Sequence, residues 1–217
     1  LELGRDYMAA GLYDRAEKML LELSAHKQYQ EESDQLLLQL YEATNEWDKA
    51  IKTALKARRH DPQMSEVIAQ FYCELADLQE TPEQAIKFYD KALKHDKICV
   101  RARLAQARWW LGQNAHARAL DFLLPILEDS PDFASEALPL IEQGYLALSD
   151  KNGLMSCLHD VVMNHPCATA VIMLANHVAE QNNTDDAEQF MLTALRRNPT
   201  MKGFHKLIEL HVKNAQP

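Results

Sequence analysis

The sequence predicts an all-α fold, a solenoid of consecutive helix–turn–helix hairpins. Two markers recurring in step and a shortage of glycine support this. Small side chains fall at Ala16, Ala50, Ala85 and Ala119, give way to Leu154, and return at Ala187, with spacings of 34, 35, 34, 35 and 33 residues. Prolines that close helices keep the same step at Pro62, Pro131, Pro166 and Pro199, with Lys97 where one is missing. The chain holds 6 glycines among 217 residues, where average usage would supply roughly 15. So few glycines exclude the many tight turns of a barrel or sandwich and any set of phosphate-cradling loops.

The hairpins follow in order. The first, near 1–28, carries Leu3, Gly4, Tyr7, Gly11, Ala16 and Leu20. In the second, 29–62, a helix through Leu37 and Tyr41 ends near Thr44, and a polar turn follows at Asn45. A second helix then runs from Trp47 to about Arg59, and Pro62 blocks its continuation. The third and fourth occupy 63–97 and 98–131, with Cys73 in a small-residue slot. The fifth, 132–166, is degenerate, with Leu154 replacing alanine and Pro139 inside its first helix, where a local kink is expected. The sixth, 167–199, holds Leu174, Ala175, Val178, Asn182, Ala187, Met191, Ala194 and Pro199. A last helix over 200–216 places Phe204, Leu207, Ile208 and His211 on one face with no partner helix after it. Small residues let paired helices approach and larger ones fill the groove beside them. Gly11, Asn45 and Asn182 are assigned to turns, where they adopt positive φ at low cost. The whole of 1–217 reads as a single array whose two ends both stop within the pattern, so a segment of a longer protein is expected.

Composition narrows the function. With 23 Lys and Arg against 32 Asp and Glu, the net charge is −9, which disfavours nucleic acid and anionic lipid as ligands. No stretch approaches the roughly 20 apolar residues of a membrane span, and the charged start is not a signal peptide. Cysteines 73, 99, 157 and 167 form no CxxC pair, which fits a reducing compartment. Cys157 and His159 point about 200° apart on a helix and cannot chelate one ion, while His165 and Cys167 bracket a proline. His205 and Glu209 read as a surface pair, so no metal site is expected. No Walker loop, HExxH, GxGxxG or Ser/His/Asp grouping appears, and no enzyme activity is expected. Glu31-Glu32 and Asp185-Asp186 stand at helix starts, where they complement the macrodipole.

A helix–turn–helix period near 34 resembles the tetratricopeptide repeat, and the resemblance covers nearly every residue. It implies a right-handed α-solenoid whose first helices line a concave groove. That face would present Glu32, Gln35, Gln39 and Glu42, then Gln70, Glu74 and Asp77, then Arg101, Leu104, Arg108 and Leu111 beside Arg103. The partner-binding residues assigned from it are Arg101, Arg103, Leu104, Arg108, Glu32, Gln39 and Glu74. A groove acidic at one end and basic in the middle would select an extended, mixed-charge protein segment. Trp109 and Trp110 are adjacent, so one should be core and the other partly outward, where it would anchor a contact.

Three stretches, Leu3–Glu17, Phe71–Ala76 and Asn198–Leu207, resemble the lipopolysaccharide assembly protein B family of Gram-negative bacteria. The resemblance implies a non-catalytic adaptor on the cytoplasmic face of the inner membrane. It would help a membrane-bound ATP-dependent protease control the deacetylase of the lipid A pathway, and would contact other lipopolysaccharide assembly proteins. In the family an N-terminal membrane helix and a C-terminal rubredoxin-like module flank the array. Iron or zinc is therefore expected only in that module and no cofactor in this segment. A homodimer is one way the exposed terminal faces would be covered. The alternative is a peptide-binding co-chaperone or assembly factor unrelated to lipopolysaccharide, whose carboxylate clamp of Lys, Asn and Arg is not evident on these helix faces.

Overall fold

The computed structural model describes residues 1–180, 184–197, 199 and 201–214. Among them are thirteen α-helices, one 3-10 turn at Pro131–Phe133, and no strand. The helices are α1 (Glu2–Ala9), α2 (Tyr13–Ser24), α3 (Gln30–Ala43), α4 (Trp47–Ala57), α5 (Met64–Asp77), α6 (Pro82–His95) and α7 (Val100–Gly112). They continue as α8 (His116–Asp129), α9 (Ala134–Ala147), α10 (Lys151–Asn164), α11 (Ala168–Glu180), α12 (Thr184–Arg197) and α13 (Met201–Asn214). This is the all-α succession of tetratricopeptide-type hairpins that the sequence predicts. The turn assigned to Asn182 and residues 200, 215 and 216 of the predicted last helix lie outside the described residues. No described helix is long and apolar enough to cross a membrane.

Four hairpin turns share one construction. Each has three residues, and the middle one, Gly11, Asn45, Asn114 or Ser149, has φ between 56° and 71°. The residue after it donates its N–H five residues back: Leu12 to Tyr7, Glu46 to Tyr41, Ala115 to Trp110 and Asp150 to Tyr145, at 2.8–3.0 Å. The middle residue donates three back, so two otherwise orphaned helix carbonyls are satisfied in each turn. Gly11 and Asn45 match expectation, whereas Asn114 and Ser149 do the same work without having been singled out. The α5–α6 turn differs, with four residues, 78–81, and Pro82 opening α6. In that hairpin Ala85 is only half-buried, and Ala92 is the small residue that disappears into the core. α4 stops at Ala57, two residues short of the expected Arg59, in a run of tight backbone bonds through Arg59 and His60. α8 and α9 run unbroken through Pro125 and Pro139.

The chain divides into two compact units, Leu1–Ala105 and Gln106–Pro217, with the boundary inside α7. In the first, Leu20, Leu37, Leu40 and Ile68 are fully buried around Ala16, Ala50 and Ala54, which have no exposed surface. Trp47 and Phe71 close this core with ring centres 5.8 Å apart. In the second, Leu123, Ile126, Leu138, Ile141, Leu154 and Leu158 are fully buried, and Ala187 and Met191 join Val171, Leu195 and Leu210 further along. Gly144 permits the approach of α9 to α8, since a Cβ there would stand 3.0 Å from Leu120 Cδ2.

Candidate protein-interaction surface

The charged face begins with a conflict inside single helices. Arg101 lies in the first turn of α7, while Glu74 and Asp77 lie in the last turn of α5. Alone, each charge opposes the dipole of its own helix. The fold resolves both conflicts at once. Arg101 Nη1 donates to Glu74 Oε1 at 2.5 Å and Nη2 donates to Asp77 Oδ2, while the Tyr89 hydroxyl donates to the other oxygen of Asp77. Partial burial raises the Asp77 carboxyl, but the hydrogen bonds from Tyr89 and Arg101 outweigh it and hold the group below its ordinary range. A similar pair, Arg5 to Glu32 at 2.5 Å, joins α1 to α3.

The structure therefore brings Arg101 and Glu74 together as partners of each other, and Glu32 is taken by Arg5. Gln39 and Arg108 are exposed and Arg103 is half-buried. Leu104 leaves the predicted face altogether. It is 4% exposed and shares the core stripe of α7 with Ala107 and Leu111, because a spacing of three places it near Arg101 without deciding which edge of that face packs inward. Neither adjacent tryptophan is core and neither is bare: both are half-buried. Trp110 Nε1 donates to Gln106 Oε1 at 3.2 Å, and the Arg118 guanidinium sits 3.7 Å from the Trp110 ring centre.

A second charge node escaped the sequence reading. Glu17 on α2 accepts from Lys49 Nζ at 2.8 Å and from the Tyr41 hydroxyl at 2.9 Å, and Lys49 also reaches Glu46 at 2.5 Å. The Lys49 hydrogen bond, helped by that of Tyr41, holds the Glu17 carboxyl below its ordinary range against the opposing effect of burial. The sequence carried one usable signal for such links: Arg5–Glu32 and Glu74–Arg101 are both 27 residues apart, one repeat less about two helical turns. In the second unit, a cleft of about 790 Å³ opens against α8, α9 and α10, bordered by Glu128, Tyr145, Cys157, Asp160 and His165. Burial, then the charge of Asp160, pushes the Cys157 thiol up to about 11.

These nodes give stability a definite acid dependence. Glu17 and Asp77 both have depressed folded-state pKa values, so their contribution is present above the unfolded value of about 4 and is lost as pH falls through the folded value. The urea midpoint is expected to drop as pH falls below about 4. In Lys49→Met and Arg101→Met variants that slope should flatten; an unchanged slope in both would show that the nodes contribute nothing.

No protein-family model matches the chain. Lipopolysaccharide assembly protein B of Escherichia coli (strain K12) is 34% identical over 221 aligned residues, covering 99% of this chain and 56% of the relative. The protein of the same name from Haemophilus influenzae is 29% identical, over 99% of this chain and 55% of its own length. The chain thus spans about half the length of the curated relatives it matches. Among solved structures, yeast Tom70 aligns with a TM-score of 0.53 at 14% identity, covering 93% of this chain and 43% of that one, a likeness of fold alone.

Proposed function

We infer that this tetratricopeptide repeat chain, which resembles about half of lipopolysaccharide assembly protein B over nearly all of its own length, is a non-catalytic scaffold for lipopolysaccharide assembly. In the finer reading it works at the cytoplasmic face of the bacterial inner membrane. There it helps a membrane-bound ATP-dependent protease control the deacetylase of the lipid A pathway. The observation that carries the reading is the 34% identity sustained over 99% of the chain. The fold supplies a physical basis, since paired charges and capped hairpin turns stiffen the platform on which two partners would be held. Holding both raises the effective concentration of one for the other without any bond being made or broken.

Deletion of the gene tests the reading. Accumulated deacetylase with excess lipopolysaccharide is the expected phenotype, and normal levels of both would overturn it in favour of a generic peptide-binding role. At residue level, Arg108→Glu is a cleaner probe of the surface than any change at Arg101, whose clamp holds α5 to α7. Arg108→Glu should weaken capture of the protease or deacetylase by roughly tenfold with helicity and melting unchanged. Undiminished capture would remove Arg108 from the interface.

A further inference from the structure

The scaffold role makes no use of Cys73, on α5, and Cys99, immediately before α7. Their sulfurs are 3.8 Å apart, and both side chains are buried, at 0% and 3% exposure. Around them Ala69, Ala92 and Ala102 are small enough to bring α5, α6 and the start of α7 together. The two thiols are not equivalent. Cys99 Sγ lies within reach of the Gln70 amide, which donates at 3.7 Å, and of the Ala102 backbone N–H in the first turn of α7. Donors at a helix N-terminus favour negative charge on Cys99. Each sulfur is able to donate to the other, and the hydrogen bond with Cys99 together with burial pushes the Cys73 thiol up. Arg101 acts on both sulfurs, Asp96 on Cys99 and Asp77 on Cys73.

We propose that Cys73 and Cys99 are a redox modification site, at which a peroxide converts the thiol pair into an intramolecular disulfide joining α5 to the start of α7. The Cys99 thiolate attacks one peroxide oxygen. The O–O bond breaks, water leaves after taking a proton, and Cys99 becomes a sulfenic acid. Cys73 sulfur then displaces the hydroxyl, which leaves as a second water with the proton of Cys73. Two thiols lose two electrons in all, and one peroxide gains them. Both thiols are nearly closed to solvent, so the oxidant is a small one of the peroxide class. The sulfurs must close from 3.8 Å to about 2.05 Å, and Cys99 stands in the connector 96–99 rather than inside a helix, so its backbone is able to give. The bond would lie beside the Arg101 clamp, locking a joint that ion pairs otherwise hold.

The whole chain serves for the test. It is exposed to graded hydrogen peroxide, its remaining thiols are alkylated after unfolding, and its peptides are mapped by mass. The expected product is a Cys73–Cys99 crosslink with loss of two hydrogens, the sulfurs already being in contact at 3.8 Å. Cys157 and Cys167 are partly exposed free thiols and act as internal references. In Cys73→Ala, dimedone should trap a sulfenic acid on Cys99. In Cys99→Ala, Cys73 should stay alkylatable. Full alkylation of Cys73 and Cys99 at peroxide levels that already oxidise Cys157 or Cys167 would overturn the proposal, as would a disulfide with any other pairing.

Discussion

Replacing Leu154 by alanine, the residue the repeat pattern asks for at that position, should cost about 3 kcal/mol of folding stability. At the corresponding places Ala16, Ala50, Ala119 and Ala187 have no exposed surface, and their helices approach closely because nothing larger intervenes. Leu154 is 1% exposed, packed into α10 with Leu158 and Val161 buried on the same helix. The surrounding backbones are therefore spaced to hold a leucine. Truncation removes three carbons from a site that cannot fully collapse, so transfer and cavity costs add. Urea denaturation followed by circular dichroism should show a lower midpoint with native helicity retained before the transition. A neutral or stabilising result would mean that consensus packing governs this hairpin as it does the others.

The converse substitution at the same register, Ala50→Leu, should cost a similar amount, roughly 3 kcal/mol, by overpacking. Ala50 is on α4, within the cluster that holds Leu37, Leu40, Tyr41 and Ala54. Three added carbons have no space there and must push α4 away from α3. Lys49 is the next residue, so the same displacement would stretch its 2.8 Å contact with Glu17. Loss of stability should therefore come with a weaker acid dependence than the parent shows. Ala50→Ser, which adds one atom, is the control and should cost far less. If Ala50→Leu melts like the parent, the close approach of α3 and α4 is not what that alanine is for.

These two positions explain what the sequence could and could not disclose. The helical class and the succession of hairpins were legible because a recurring small residue is a local requirement, met within one helix pair. The turn at Asn45 was legible for the same reason, as it depends on one residue type in one conformation. Ser149 was not, because serine carries little preference for positive φ and is held there by the backbone bonds around it. The charged face was half legible. Its residues were identified, but helical spacing assigns a face and not a partner, and whether Arg101 meets solvent or Glu74 depends on the stagger between successive repeats. Leu104 shows the same limit in reverse, since three residues of separation on α7 carry the chain from an ion pair into the core. Ala85 kept the period and lost the burial once the α5–α6 turn gained a residue.

The uniform construction of the turns at Gly11, Asn45, Asn114 and Ser149 bears on how such a chain can vary. A one-residue insertion there would put the donor out of register with the carbonyl five residues back, and the corner that is a residue longer, 78–81, leaves Ala85 only half-buried. The connectors between hairpins obey no such rule: 25–29, 58–63 and 96–99 differ in length and still deliver the chain to the next helix. These four hairpins thus have a fixed corner and adjustable leads. Epitope tags or labelling peptides should be tolerated near His26 or His60, where they would be grafted without disturbing a seam.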